Sequence, residues 1–416
     1  MEYKAVIDAG YNSFRLSLYR VFPNGAFSLT ASLREYVRLG MGVSEGLPIP
    51  EEGITRAEEA LRKFRDFLDR KGVSNVVVLG TSAFRYARNG QEVAERLSRA
   101  VGHAIRVVSS EEEGRLSALG VLNSLPVGEG VAFDLGGGSL EVVYFSKRRI
   151  TQIHYFPLGA LRLADRPAEE IRKTVREYLS SLPPSQGVLV GSGGNLRAIA
   201  KMDLKLEGEK LDVIHGHTIS YERIARYSKT LPSMSAEERS RLPGISEERA
   251  ITVHSAVLVI RELMDILGKG EVMVSSFGLR EGAMMRGEMT SVGEMREFWL
   301  EGLAYHFGLD PFLDAYREVK GSSGEVLATA FYLLQLMKAS GFLDPYIACY
   351  RAFRNMVLPG FTAEEVNLIT TLCAVAKKYK KKYYSNVKKV MDKESLLAKA
   401  KELRTINESY EFGVRK

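Results

Sequence analysis

The chain has 416 residues, 45% hydrophobic and 26% charged, with a formal net charge of +7. At about 100–200 residues per domain, that is two to four globular domains with room for sizeable cores. Two cysteines in so long a chain exclude a disulfide scaffold, and the positive balance suits a polyanionic partner without naming one.

The first residues, MEYKAVIDAG, enter a strand-like alternation with no basic region, apolar stretch or small-residue cleavage site, and nowhere do about 18 apolar residues run together. A soluble, cytoplasmic protein without a membrane partner is expected. From Tyr3 to about Phe145, the β-branched runs YKAVIDAG, SNVVVLG, AIRVVSS and GVAFDLGGG alternate with amphipathic segments, the rhythm of an α/β fold. One such segment places Ile54, Ala57, Leu61, Phe64 and Leu68 on one helix face. A second α/β stretch, with strands in ITQIHYFPLG, QGVLVGSGGN and GEVMVSSFGL, ends near Arg286. From about Met295 the strand runs vanish, and amphipathic segments broken at GLDPF, GSSGE, GFLDP and LPGF predict an all-helical C-terminal third. Cys349 and Cys373 fall in these helical stretches as reduced core thiols.

Two stretches share one plan. VIDAGYNSFRLSLY and AFDLGGGSLEVVYF each run apolar strand, aspartate, glycine-containing turn, hydroxyl residue and second strand. Equivalent hairpins heading two related halves would set two turns on opposite sides of a cleft, where multidomain α/β proteins bind ligands. Glycines let successive N–H groups approach an anion, so Gly136, Gly137, Gly138 and Ser139 read as a phosphate cradle, with a plain hairpin turn as the alternative. Asp134 before the turn and Glu141 after it either offer hard oxygens to Mg2+ against phosphate or are solvated hairpin acids. In VLVGSGGNLRAIA, the turn containing Gly193 and Gly194 is an anion site at a helix N-terminus or an N-cap with packing glycines. Glu111, Glu112 and Glu113 open a helix as dipole complements, and only one of them need be catalytic. His215 and His217, without a third ligand nearby, read as core or loop residues. In KKYKKKYYSNVKK, Lys377, Lys380 and Lys381 stand among tyrosines. That run is a solvated face, a stacking nucleic-acid surface or a guide for a chain of phosphates, and nucleic acid is not the expected partner.

In this order the motifs resemble the exopolyphosphatase/guanosine pentaphosphate phosphatase family of the actin, sugar-kinase and heat-shock ATPase superfold. VIDAGYNSFRL looks like its first phosphate loop, LGTSAFRYARN its Thr-Ser-x-x-Arg segment, EEEGRLSALGV its Glu-Glu-Ala-Arg helix and FDLGGGSLEVV its second phosphate loop. VGSGGNLRAIA, LPGISEERA and VSSFGLREGAM are similar to its later segments. The resemblance implies an α/β fold of two actin-like (ribonuclease H-like) lobes around a cleft, residues 1–123 and 124–290, followed by an all-helical HD-like domain, 291–416, that lacks the His-Asp metal ligands near MKASGF. It implies that Glu113 orients or deprotonates the attacking water and that Arg85 grips phosphate. Asn12, Ser13, Arg15 and the amides of Gly136 to Ser139 would surround the terminal phosphoryl group, with Gly193, Gly194 and Arg249 also on the substrate. Asp8, Asp134 and Glu141 would handle Mg2+ (or Mn2+) and its waters, and the protein would be a homodimer.

The activity so implied is release of terminal phosphate from inorganic polyphosphate. Guanosine penta- or tetraphosphate is the alternative partner. A non-catalytic polyphosphate- or nucleotide-binding protein and a sugar or acetate-type kinase are alternatives of other classes. Tyr11, Gly114, Leu140, Ile251 and Ser276 stand where the family has serine, alanine, threonine, aspartate and aspartate. At the phosphate pocket, the Tyr11 phenol narrows the space, adds a hydroxyl or points away.

Overall fold

A computed structural model describes residues 2–41, 46–209, 213–411 and 414–415. The alternation in EYKAVIDA becomes β1 (Glu2–Ala9), followed by β2 (Phe14–Val21) and β3 (Phe27–Glu35). With β4 (Val76–Gly80) and β5 (Ile105–Val107) these form a sheet in the order β3-β2-β1-β4-β5. A second sheet is built from β6 (Gly130–Leu135), β7 (Leu140–Ser146), β8 (Arg149–Phe156), β9 (Val188–Ser192), β10 (Thr218–Ser220) and β11 (Glu271–Val274), in the order β10-β11-β9-β6-β7-β8. Both sheets follow one succession. An antiparallel meander, β3-β2-β1 or β8-β7-β6, continues into parallel neighbours, β4-β5 or β9-β11.

The repeated motif is therefore a repeated lobe. Asp8 pairs across from Arg15, and Asp134 across from Glu141, at matching places in the two meanders. Both aspartates lie near the C-terminal end of a central strand, the edge at which α/β sheets bind ligands. The sequence reading did not mark β3. It is an outer strand with much of its length exposed, Leu29 included, so its alternation is weak.

Helices cover the sheets. Glu51–Lys71 buries Ile54, Ala57, Leu61, Phe64 and Leu68. Its first turn carries Glu51 and Glu52, its last Arg70 and Lys71, and Gly72 closes it at φ 64°, each matched to the helix dipole or the left-handed C-cap. The helix Ser110–Leu122 begins where the Ser109 side chain accepts from the Glu112 N–H. Although it lies before residue 124, it packs on β6, β7, β8 and β9. Gly114 permits that approach, since a Cβ there would stand 3.3 Å from Glu141 Cβ.

The chain divides into two units, one of Met1–Val21, Phe27–Glu207 and Thr218–Ser291, the other of Phe22–Ala26, Gly208–His217 and Val292–Lys416. Both sheets fall in the first. The second is helical around Glu325–Ala339, whose residues Leu327 to Met337 are all buried, as in a helix surrounded by others. Its breaks fall at Gly308, Gly324, Gly341 and Gly360, all at positive φ. A short antiparallel pair, Tyr410–Glu411 with Val414–Arg415, departs from the all-helical expectation, where YEFGVR alternates about a glycine. Cys349 and Cys373 are buried with their sulfurs 3.1 Å apart. Among the described residues no helix is long and apolar enough to cross a membrane.

Candidate active site

Each meander turns on a glycine: Gly10 N–H donates to Ser13 O at 3.2 Å, and Gly136 N–H donates to Ser139 O at 3.0 Å. Each turn is backed by a second segment. Arg38 N–H donates to Asn12 O (2.8 Å) and Gly40 N–H to Tyr11 O (2.9 Å). Behind the other turn, Ala160 N–H donates to Gly136 O (3.0 Å), and the N–H groups of Leu161 and Arg162 both donate to Gly137 O (2.9 and 3.0 Å). With these carbonyls engaged, the Gly137 and Gly138 amides have no acceptor among the described residues. Unpaired donors in a tight turn are a nest for an anion.

The two turns touch. A Cβ on Gly137 would stand 3.0 Å from Asn12 Cβ of the other turn, while within the second lobe a Cβ on Gly159, in the segment backing the turn, would stand only 2.3 Å from Gly137 C and O. A third turn closes in at Gly193, φ 103°, which precedes the helix Gly194–Leu206. A Cβ there would lie 2.5 Å from Leu135 O.

Where the turns meet is a cavity of about 120 Å³. Beside the turns it is lined by Thr81 and Ser82, by the acids Asp8, Glu113 and Asp134, and by Arg15, Arg34, Arg197, Arg249 and Arg280. Five guanidiniums thus face three carboxylates. Nε of Arg15 and of Arg197 is buried without an acceptor. Burial lowers the Arg197 guanidinium, with Arg280 adding repulsion. Burial also brings Arg249 down to about 10, Arg34 and Arg197 repelling it while Tyr36 opposes. Positive charge crowded in this way calls for a multivalent anion.

The acids are tuned as well. Arg85 Nη1 donates to Glu113 Oε2 at 2.6 Å and to Val108 O at 3.0 Å, while its Nε and Nη2 are buried without acceptors. Burial raises the Glu113 carboxyl from 4.5 to about 7. Arg85 pulls the other way, and Asp134 and Asp8 add repulsion. Burial likewise raises Asp8 to about 6, against Arg280 and with Asp134. Ser117 Oγ donates to Asp134 Oδ2 at 2.7 Å.

A model of the Ppx/GppA phosphatase family matches residues 20–290. The chain belongs to the Ppx/GppA phosphatase family. It is 24% identical over 294 residues to a guanosine-5'-triphosphate,3'-diphosphate pyrophosphatase of Aliivibrio fischeri strain MJ11, a match covering 67% of this chain and 58% of that protein. The chain thus spans 58% of the length of the curated relatives it matches. Among solved structures, an exopolyphosphatase from Cytophaga hutchinsonii is 27% identical with a TM-score of 0.63, covering 70% of this chain and 100% of its own. The Aquifex aeolicus member of the Ppx/GppA family is 26% identical with a TM-score of 0.58, covering 68% of this chain and 96% of its own.

In this Ppx/GppA chain, Asp8, Asn12, Ser13, Arg15, Glu113, Asp134, Gly136, Gly137, Gly193, Gly194 and Arg249 line one cleft. Arg85 adjoins it through Glu113, and Gly138 and the buried Ser139 belong to the same turn without lining it. Glu141, named in sequence with the metal-holding acids, does not open onto the cleft. It is 1% exposed beneath the helix Ser110–Leu122, its Oε1 has no hydrogen-bond partner, and Arg85 Nη2 stands 3.9 Å away. Burial, then repulsion from Glu113 and Asp134, pushes its carboxyl well above the usual range. Lys377, Lys380 and Lys381 are exposed residues of the second unit, Lys377 within 3.5 Å of Asp344. Sequence reasoning missed Arg34, Arg197, Arg280, Thr81 and Ser82 as lining residues. Arg197 and Arg280 each follow shortly after a glycine turn, which was the available signal; Arg34 sits on the unmarked β3.

Proposed function

We propose that the protein is an exopolyphosphatase that hydrolyses the terminal phosphate of inorganic polyphosphate in a Mg2+- or Mn2+-dependent reaction. The observation that carries this reading is the convergence of five arginines and two opposed glycine turns on one raised carboxylate, Glu113. A chain of phosphates supplies the negative charge that the guanidiniums lack, and the family and the Cytophaga hutchinsonii structure support the chemistry.

Phosphoryl transfer asks for positioning and for neutralisation of the equatorial oxygens. The amide of Gly137, the side chains of Asn12 and Ser13 and the Nε groups of Arg15 and Arg197 serve those oxygens. Glu113 accepts a proton from water as the new P–O bond forms and the bridging P–O bond breaks, and the departing oxygen keeps its electron pair as a phosphate end neutralised by the remaining arginines. Among the described residues no group of three or more His, Cys, Asp or Glu side chains could hold a metal by itself. Asp8 and Asp134 line the same cleft and repel each other. Such a pair fits Mg2+, which keeps several waters and takes one or two carboxylates plus phosphate oxygens. Those two residues would hold it, and when bound it neutralises charge on the phosphate oxygens.

We further read the lobes, residues 1–123 and 124–290, as an actin-like pair. The region 291–416 reads as HD-like without metal chemistry, since MKASGF offers neither His nor Asp. Lys377, Lys380 and Lys381 read as a guide for the phosphate chain, and the protein as a cytoplasmic homodimer. The names of the Aliivibrio fischeri relatives favour a second substrate, guanosine pentaphosphate.

The test is phosphate release from polyphosphate and from guanosine pentaphosphate at equal concentration, with Mg2+ or Mn2+ and with chelator. Faster release from polyphosphate, abolished by chelation, supports the reading. Preference for the nucleotide moves the substrate, and binding without turnover in either metal makes the protein a non-catalytic binder.

A further inference from the structure

Arg162 lies outside the cleft lining and carries no role in the motifs, yet it touches both phosphate turns. Its Nε donates to Gly138 O at 3.0 Å and its backbone N–H to Gly137 O at 3.0 Å. Its guanidinium carbon stands 5.3 Å from the centre of the Tyr11 ring and 4.6 Å from that of Tyr86. Gly137 and Gly138 belong to the second lobe's turn and Tyr11 to the first lobe's. Tyr86 directly follows Arg85, the partner of Glu113.

The Tyr11 ring is 5% exposed and sits in a slot between glycines: a Cβ on Gly40 would stand 2.2 Å from it and one on Gly138 2.4 Å. Arg162 Nη2 is buried without an acceptor, as befits a guanidinium lying against two rings rather than oxygens. A serine at position 11, as in the family pattern, presents no ring face to Arg162.

We propose that Arg162 is a positioning residue which, through Tyr11 and Tyr86 on one lobe and the Gly138 carbonyl on the other, holds both phosphate turns and Arg85 in register. It acts through these groups. Attraction to the two ring faces fixes the first turn and the short helix Ser82–Tyr86 that carries Arg85, and donation from Nε engages the carbonyl that the backbone of Ala160 to Arg162 leaves unserved. Reacting groups in register are what in-line transfer requires, and a misplacement of about 1 Å can cost about a hundredfold. The kinetic part of the proposal rests on the phosphatase reading.

The experiment compares Tyr11→Phe, Tyr11→Leu, Arg162→Ala and the Tyr11→Leu/Arg162→Ala double variant in kcat and KM for tripolyphosphate, and in hydrogen exchange of the segment 157–163. Arg162→Ala and Tyr11→Leu are each expected to lower kcat by about tenfold or more with KM changed by less than about twofold. Tyr11→Phe keeps the ring face and is expected to lose less than Tyr11→Leu. The double variant loses no more than the worse single one, and exchange at Ala160 to Arg162 quickens in every variant except Tyr11→Phe. Losses that multiply in the double variant, that fall in KM alone, or that are as large in Tyr11→Phe as in Tyr11→Leu overturn the proposal. If the wild-type protein releases no phosphate from any substrate, the functional reading fails while the exchange arm still decides. Unchanged protection in Tyr11→Leu and Arg162→Ala then overturns the positioning role, and a selective loss upholds it.

Discussion

Replacing Glu113 by Gln keeps the side chain's length and an acceptor for Arg85 Nη1, now 2.6 Å from the carboxylate, and removes the base and its charge. A general base contributes roughly a hundredfold to ten-thousandfold in rate, so kcat for phosphate release should fall by about 3–5 kcal/mol of barrier at about 1.36 kcal/mol per tenfold. Stability should move the other way. Burial lifts the carboxyl from 4.5 to about 7, so the folded value lies above the unfolded one. Its proton therefore stabilises the fold at low pH, and that contribution is lost as pH rises from about 4.5 through about 7. A shift of this size corresponds to about 3 kcal/mol at most, with the attraction of Arg85 already contained in it. The ligand-free Gln variant should thus match wild type near pH ~4 and exceed it near pH ~8 by up to that amount. Colorimetric phosphate release from tripolyphosphate and urea denaturation at the two pH values read both effects. Full activity in the variant, or no gain in stability between the two pH values, refutes the reasoning. The same titration makes wild-type kcat/KM rise with pH as Glu113 ionises, with the limb at lower pH when divalent cation is bound near Asp8 and Asp134.

A Cβ at Gly159 would meet Gly137 C and O at 2.3 Å, so Gly159→Ala must displace backbone; it should cost about 1–3 kcal/mol in urea denaturation and lower kcat together with stability. Tyr19→Phe removes the hydroxyl that donates to the buried Glu281 Oε1 at 2.6 Å. The carboxylate then keeps the Gly278 N–H at 3.0 Å on its other oxygen, and a loss of about 1–3 kcal/mol is expected by the same measurement. Cys349 and Cys373 are wholly buried, and burial pushes the Cys349 thiol well above its ordinary range. A thiol reagent should modify neither in the native protein and both in denaturant.

The sequence carried the repeated hairpins, because an aspartate, a glycine turn and a hydroxyl residue act within a few residues of one another. It also carried the helix Glu51–Lys71, whose buried face is written in its period. Three consecutive acids at 111–113 are alike in local pattern, and only the family resemblance singled out Glu113; packing separates them, with Glu111 exposed, Glu112 paired with Arg106, and Glu113 partly buried against Arg85, its side chain 12% exposed. Asp134 and Glu141 flank one turn symmetrically, yet the helix Ser110–Leu122 seals Glu141 while Asp134 opens onto the cleft. The backing segments at Arg38–Gly40 and Ala160–Arg162, Arg34 on its outer strand, and the stacking of Arg162 on Tyr11 and Tyr86 were decided by the tertiary structure alone, while Arg197 and Arg280 had only a preceding glycine turn to mark them. Backbone geometry and hydrophobic period are set by near neighbours along the chain. Desolvation and the balance of charge are set by groups brought together from both lobes, and no local stretch records them.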